Sequence, residues 1–265
     1  MKTYVISIFV TKDYISNFIF WLEFYEKIRR YPLMIHCPDE NTKKALKPFL
    51  KPEDKVIILS WGKGRNKVWI KRIESTLELL ERYDSVINTD LDAYWFSPQI
   101  YEVIEQNNEY DILSSLAPDG FPAKQHRLKW ESTLCCGFQI FKSTSNTKDF
   151  LRKMLKKDIQ KISFKIWKRY SDQGILNYML HKMDHKIKKS KSPYITYEIN
   201  SPSLEVGCLT QKAVKRYLIS DWINKKNNLY YVVHILEKRF KRKDYSREEI
   251  KKIVKKLYYT CQRKF

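Results

Sequence analysis

The sequence predicts an α/β domain with a mostly parallel central sheet flanked by helices, followed by a basic helical C-terminal extension. Three observations predict it. Apolar, β-branched runs alternate with amphipathic segments over the first third of the chain, as when strands return through helical crossovers. The 265 residues are 43% hydrophobic and 14% aromatic, enough for a full core. Only 6 Gly and 9 Pro exclude collagen-like and linker-dominated architectures.

The elements follow in order. Residues 3–10 (TYVISIFV) are β-branched and aromatic and read as a buried strand. Residues 15–30 place Ile15, Phe18, Ile19, Leu22, Tyr25 and Ile28 at helical spacing. A second strand, Leu33 to Cys37, stops at Pro38-Asp39, and Thr42 to Leu50 reads as a short helix. Val56 to Ser60 is a third strand. Lys71 to Tyr83 is helical, with Ile73, Leu77 and Leu80 on one face. Ser85 to Asn88 is a fourth strand running into Thr89-Asp90-Leu91-Asp92. Further on, Asp111 to Leu116, Cys136 to Phe141 and Tyr230 to Ile235 read as strands. Lys148 to Ile162 and Asp172 to Leu180 read as helices. Ser246 with Glu249 forms a capping box that opens a last helix burying Ile250, Ile253, Val254 and Leu257.

Charge is segregated. Residues 1–141 carry 19 basic and 19 acidic side chains, residues 142–220 carry 18 and 6, and residues 221–265 carry 14 and 5. The whole excess behind the net charge of +21 therefore lies after Phe141. This is either a face turned toward something anionic or a set of lysine-rich, solvated helix surfaces. The five cysteines, at 37, 135, 136, 208 and 261, form no C-x-x-C unit, which argues against a disulfide framework and a structural zinc site and suits a reducing, cytoplasmic compartment. No apolar stretch is long enough and uncharged enough for a membrane span, and none has the form of a cleavable signal.

The most informative segment is Tyr83 to Pro98, YDSVINTDLDAYWFSP. Asp90 and Asp92 stand where the Ser85–Asn88 strand ends, and ligands gather at the carboxyl ends of strands in sheets of this kind. On extended backbone a two-residue spacing points both carboxylates the same way. Two such charges call for a hard divalent cation, Mg²⁺ or Mn²⁺, with phosphates filling the remaining positions. A bare D-x-D is usually a solvated turn. This one lies between an apolar strand and Tyr94-Trp95-Phe96, which a solvated turn would not need.

That block resembles the metal-binding D-x-D of GT-A (Rossmann-like) nucleotide-diphospho-sugar transferases, closest to the family 8 and family 77 types. Three more segments resemble the same family in order. Leu134-Cys-Cys-Gly-Phe-Gln-Ile-Phe141 is similar to the N-x-G strand behind the sugar site, with Cys135 or Cys136 where Asn is usual. Asp172-Gln173 with Leu176-Asn177 resembles the D-Q helix start, and Val232-Val233-His234 the late histidine of the metal shell. The family 8 Gly and Lys after that histidine are absent; Glu237 and Phe240 stand there, with Lys238 or Arg239 as substitutes.

The resemblance implies a GT-A domain over residues 1–236, its nucleotide-binding half about 1–98 and its acceptor half about 99–236, with residues 237–265 as the extension. It implies metal ligation by Asp92 and His234, with Asp90 sharing that role or holding the ribose. Lys71 or Arg72 would reach a phosphate, and Ser7, Phe9 and Thr11 would touch the base. Asp172 and Gln173 would face the sugar as the catalytic pair. The implied reaction moves a sugar from a nucleoside-diphosphate (UDP- or GDP-) donor to a hydroxyl on a glycan, glycoprotein or lipid-linked acceptor, with retention. An inverting enzyme would instead use Asp119 or Asp172 as base.

Competing signals are weaker. Gly62 to Lys67 lacks phosphate-loop spacing, and His181 with His185 lacks a third zinc ligand. Phe164, Trp167, Tyr170, Trp222, Tyr230 and Tyr231 among lysines invite a nucleic-acid reading, with Asp90 and Asp92 serving a metal-dependent nuclease. No RRM, KH or helix-turn-helix pattern supports that, so no obligate nucleic acid is expected. Residues 238–264 alternate basic and apolar positions, as a helix lying on an anionic membrane would and as a helix closing the core would.

Overall fold

A computed structural model describes residues 2–61, 65–117, 133–167, 172–183, 185–217, 230–235 and 246–262. Asp119, Tyr170, Trp222, Glu237, Lys238, Arg239, Phe240 and the start of the Gly62–Lys67 loop lie outside the described residues, as do the side chains of Phe164 and Trp167.

β1 (Tyr4–Phe9) and β2 (Leu33–Cys37) are the apolar runs predicted for them, joined by α1 (Ile15–Ile28). α2 (Glu40–Leu46), capped by the Asp39 carboxylate on the Thr42 N–H at 2.7 Å, leads to β3 (Lys55–Ile58). α3 (Arg65–Leu79) then returns to β4 (Ser85–Thr89). These four strands are parallel in the order β3-β2-β1-β4. A short β5 (Ala93–Trp95) and α4 (Gln99–Gln106) lead to β6 (Ile112–Ala117) and β7 (Thr133–Lys142). β7 inserts antiparallel between β4 and β6.

The helix expected over Lys148 to Ile162 is two helices, α5 (Ser145–Met154) and α6 (Lys157–Trp167). The break at Leu155–Lys156 lets α5 pack on α3 while α6 packs on α7 (Asp172–Lys182). Sequence reading missed the strands that follow: β8 (Lys186–Lys189), β9 (Ile195–Ser201), β10 (Leu204–Leu209) and β11 (Val214–Tyr217). The first three extend the sheet to nine strands, ordered β3-β2-β1-β4-β7-β6-β10-β9-β8. Seven run in one sense and only β7 and β9 oppose them, so the sheet is mostly parallel in direction although half its pairings are antiparallel.

Alternation along β1 sends Tyr4, Ile6 and Ile8 to one face and Val5 and Ser7 to the other. The first face is covered by α1, α4 and a three-stranded sheet, β11-β12-β5, where β12 is Val232–Ile235. The final helix, α8 (Arg247–Gln262), joins this layer. The second face is covered by α3, α5 and α7. None of the described helices is long and apolar enough to cross a membrane.

Candidate active site

The site lies at the carboxyl ends of β1 and β4, where a parallel sheet leaves its unpaired backbone groups. Asp90 and Asp92 are not on extended backbone as expected. They sit in a tight turn between β4 and β5, closed by Ala93 N–H donating to the Asp90 carbonyl at 3.0 Å. The turn is pinned behind by Asp90 N–H on the Gly137 carbonyl at 2.9 Å. In front it is pinned by the Trp21 indole on the Ala93 carbonyl at 2.8 Å. The flanking aromatics are therefore the turn's foundation: Tyr94, Trp95 and Phe96 are all at most 1% exposed.

β12 pairs antiparallel with β5, and its register sets His234 opposite Ala93, next to Asp92. The His234 Nε2 lies 3.2 Å from Asp92 Oδ1 and 3.9 Å from Asp90 Oδ2. One ligand atom from each of the three residues falls within 4.8 Å of the others, a spacing that suits a shared cation. Burial opposes charge on the His234 ring, yet Asp92 beside it and then Cys135 hold its pKa well above the usual histidine range. The pair of carboxylates thus draws positive charge to the point they share.

Gly137 has a steric duty there. A Cβ on it would lie 2.1 Å from His234 Cε1, so the imidazole packs on bare backbone. On the far side of the ring, Nδ1 lies 3.5 Å from Cys135 Sγ. None of the five cysteines is in a disulfide.

Of the two basic residues expected near the phosphates, the structure brings Arg72 to the site. Its guanidinium donates to Asp90 Oδ1 and to the Cys136 carbonyl, both at 2.8 Å, and reaches Asp172 Oδ2 at 3.5 Å. Burial works against its charge, but Asp90 and Asp172 outweigh it and keep it cationic. Lys71 instead turns along α3 to Glu74 at 2.6 Å. Asp172 and Gln173 open α7 and are both buried. Burial pushes the Asp172 carboxyl up to about 6, with Arg72 opposing and Asp90 adding.

Asn177 holds that helix start in place. It accepts from the Leu134 N–H at 2.8 Å and donates to the carbonyls of Leu134 and Gln173 at 2.9 and 2.8 Å. A small cavity is lined by Arg72, Thr76, Asn88, Cys136, Gln139 and Asp172, among others.

Ser7, Phe9 and Thr11 are spread along the exit of β1. Ser7 is 1% exposed, paired in register with Met34 and Asn88 below the strand ends. Phe9 and Thr11 are half-buried near the edge. Phe9 stacks on His36 at 4.6 Å and meets Trp61 at 5.8 Å, an aromatic platform with no sequence signal. His36 is buried, and burial and then Arg72 push it down to about 4.

Other expectations resolve simply. His181 and His185 are not on one helix, since α7 ends at Lys182 and His185 Nδ1 contacts the Met183 carbonyl at 2.7 Å. Tyr230 and Tyr231 are 6% and 4% exposed and belong to the core, which removes them as stacking platforms for a nucleic acid.

The fold is that of GT-A glycosyltransferases. A family model described as nucleotide-diphospho-sugar transferase matches residues 45–244, and the chain belongs to that family. Among solved structures it is similar to the galactosyltransferase LgtC in complex with donor and acceptor sugar analogs, with a TM-score of 0.59 and 12% identity over 87% of this chain and 86% of that one. It is also similar to mouse xyloside xylosyltransferase 1 in its apo form, with a TM-score of 0.57 and 11% identity over 88% and 97% of the two chains. No curated protein sequence matches it significantly.

Proposed function

We propose that this glycosyltransferase is metal-dependent and moves a sugar from a UDP- or GDP-sugar to a hydroxyl acceptor, with retention. The observation that carries the metal dependence is the convergence of Asp90, Asp92 and His234 within 4.8 Å at the end of β4. Two carboxylates and an imidazole fit Mn²⁺ or Mg²⁺. When bound, the cation would offset the negative charge that grows on the departing diphosphate.

The chain's own residues supply the rest. Arg72, fixed between Asp90 and Asp172, is a second, permanent positive charge beside the same leaving group. Phe9 and Thr11 border the place for the base, and Ser7 supports them from below. Asp172 and Gln173 face the sugar from the α7 N-terminus. In the retaining reading, the acceptor proton passes to the diphosphate as the new bond forms, and neither residue need act as base. The acceptor is a glycan, glycoprotein or lipid-linked hydroxyl. The basic C-terminal half would bring the enzyme against an anionic membrane surface if that acceptor is lipid-linked.

Asp92→Ala tests this reading. It removes a ligand and a like-charge repulsion along with the attraction to His234, so unfolding should stay cooperative while transfer is abolished. Turnover is read with a panel of UDP-, GDP- and CMP-sugars with and without Mn²⁺. Wild-type turnover in EDTA, or normal turnover of Asp92→Ala, would overturn it. A thermal shift with oligonucleotide plus Mn²⁺, and none with any sugar nucleotide, would favour the nuclease alternative.

A further inference from the structure

The His234 ring is gripped on three sides, and only one grip is unexplained by the metal reading. Asp92 and Asp90 face Nε2, and Gly137 supplies the floor. The third neighbour is the Cys135 thiol, 1% exposed and 3.5 Å from Nδ1. For Nε2 to present a lone pair to a cation between the carboxylates, the ring proton must sit on Nδ1. An N–H there, buried away from water, needs an acceptor. Among the contacts of that nitrogen, Cys135 Sγ stands at hydrogen-bond distance for sulfur.

We propose that Cys135 is a positioning residue for the metal site: its sulfur accepts the His234 Nδ1–H, fixing both the tautomer and the tilt of the ring that offers Nε2 to the cation. The proposal rests on the metal-dependent reading and goes a step beyond it. Cys135 touches neither the donor nor the cation. It acts through His234, so it governs how tightly the cation is held rather than the chemistry at the sugar. The adjacent Cys136 is not equivalent, since alternation along β7 sends it into the core on the other face of the sheet.

The test is Mn²⁺ binding to the intact chain without donor, followed by the loss of free-Mn²⁺ electron paramagnetic resonance signal. Outer partners of metal-bound histidines typically matter about 10–100-fold, so Cys135→Ala should weaken Mn²⁺ binding by about tenfold or more. Cys135→Ser, whose hydroxyl can still accept from Nδ1–H, should recover part of that loss. At saturating Mn²⁺, kcat of both variants should approach the wild-type value, a split that a general packing defect would not produce. Cys208→Ser, at a buried thiol remote from His234 in the structure's second core layer, should lower Tm and leave Mn²⁺ affinity unchanged.

Two failures are distinguishable. Mn²⁺ binding that disappears in Asp92→Ala but is equal in wild type and Cys135→Ala overturns this proposal alone. Absence of Mn²⁺ binding by the wild type overturns it together with the metal reading. Cys135→Ser behaving like Cys135→Ala, with both losing affinity only as far as they lose Tm, also overturns it.

Discussion

At the scale of single residues, two buried groups titrate in opposite senses, and this gives a sharp prediction. His36 is held down to about 4, so it stays neutral in the folded chain while the unfolded chain takes up a proton below its ordinary value of 6.5. Its neutral burial therefore stabilises fully above that value, and the benefit is lost as pH falls toward 4. Asp172 is pushed up to about 6 from 3.8, so the folded chain binds a proton first. That term gains stability as pH falls through the same range. Each shift is worth on the order of 3 kcal/mol, and the two offset each other. Against wild type, His36→Leu should become relatively more stable by about that amount between about pH 7 and about pH 4, and Asp172→Asn relatively less stable. Urea unfolding at several pH values measures both, and parallel profiles for all three proteins would refute the pairing. Neither group's environment was legible in the sequence. Burial of His36 depends on Phe9 stacking on it from another strand, and Asp172 becomes unusual only once α7 packs on β7 and α3 and buries it, with Arg72, a hundred residues earlier, opposing the shift. The carboxylate pair was legible because its anchors, an apolar strand and three aromatics, are contiguous with it.

Elements divide on the same line. Those whose burial follows a local period, β1, α1, β2 and β4, lie where the pattern of apolar residues puts them. β8 and β9 did not announce themselves. β8 is a lysine-bearing edge strand, largely exposed, and β9 alternates only weakly; their pairing is set by partners. The D-Q helix start has a sequence signal, but what fixes it in place is Asn177, which ties α7 to the backbone of β7. Asn177→Leu would leave the buried Leu134 N–H and carbonyl without that partner, at about 1–3 kcal/mol each. Urea unfolding should show a loss of about 2–6 kcal/mol on that basis. Since α7 supplies none of the three metal ligands, Mn²⁺ affinity should hold while donor turnover falls. Unchanged stability would mean that the three hydrogen bonds do not anchor the helix.

For the whole molecule, the question is what the basic C-terminal helix is for. The capping box is formed as read, with Ser246 Oγ accepting from Glu249 N–H at 3.3 Å and the Glu249 carboxylate accepting from Ser246 N–H at 2.6 Å. Ile250, Val254, Leu257, Tyr258 and Cys261 are all buried, and Ile253 packs against the same cluster. Tyr258 meets Phe24 at 5.2 Å and Phe96 at 5.6 Å, while Gln262 donates to the Phe96 carbonyl at 2.7 Å. The helix thus backs the same aromatic block that supports the Asp90–Asp92 turn. Some of its charge serves packing too, since Lys251 and Lys255 each sit 5.7 Å from the Phe20 ring, and in return Lys27 of α1 lies 4.2 Å from Tyr258. Burying those side chains is worth about 1.5–3 kcal/mol for each large one, so together they rival the 5–15 kcal/mol by which a typical domain is stable. Removing residues 244–265 should therefore abolish cooperative thermal unfolding, followed by circular dichroism, rather than leave a folded enzyme that has merely lost a surface. Reversing the exposed charges alone, Lys252→Glu with Lys256→Glu, should keep stability within about 0.5 kcal/mol. Any loss of binding to anionic vesicles in that double variant would then report on the helix's outer face. A truncated chain that melts like the full one would show that α8 is an appendage and that the core closes without it.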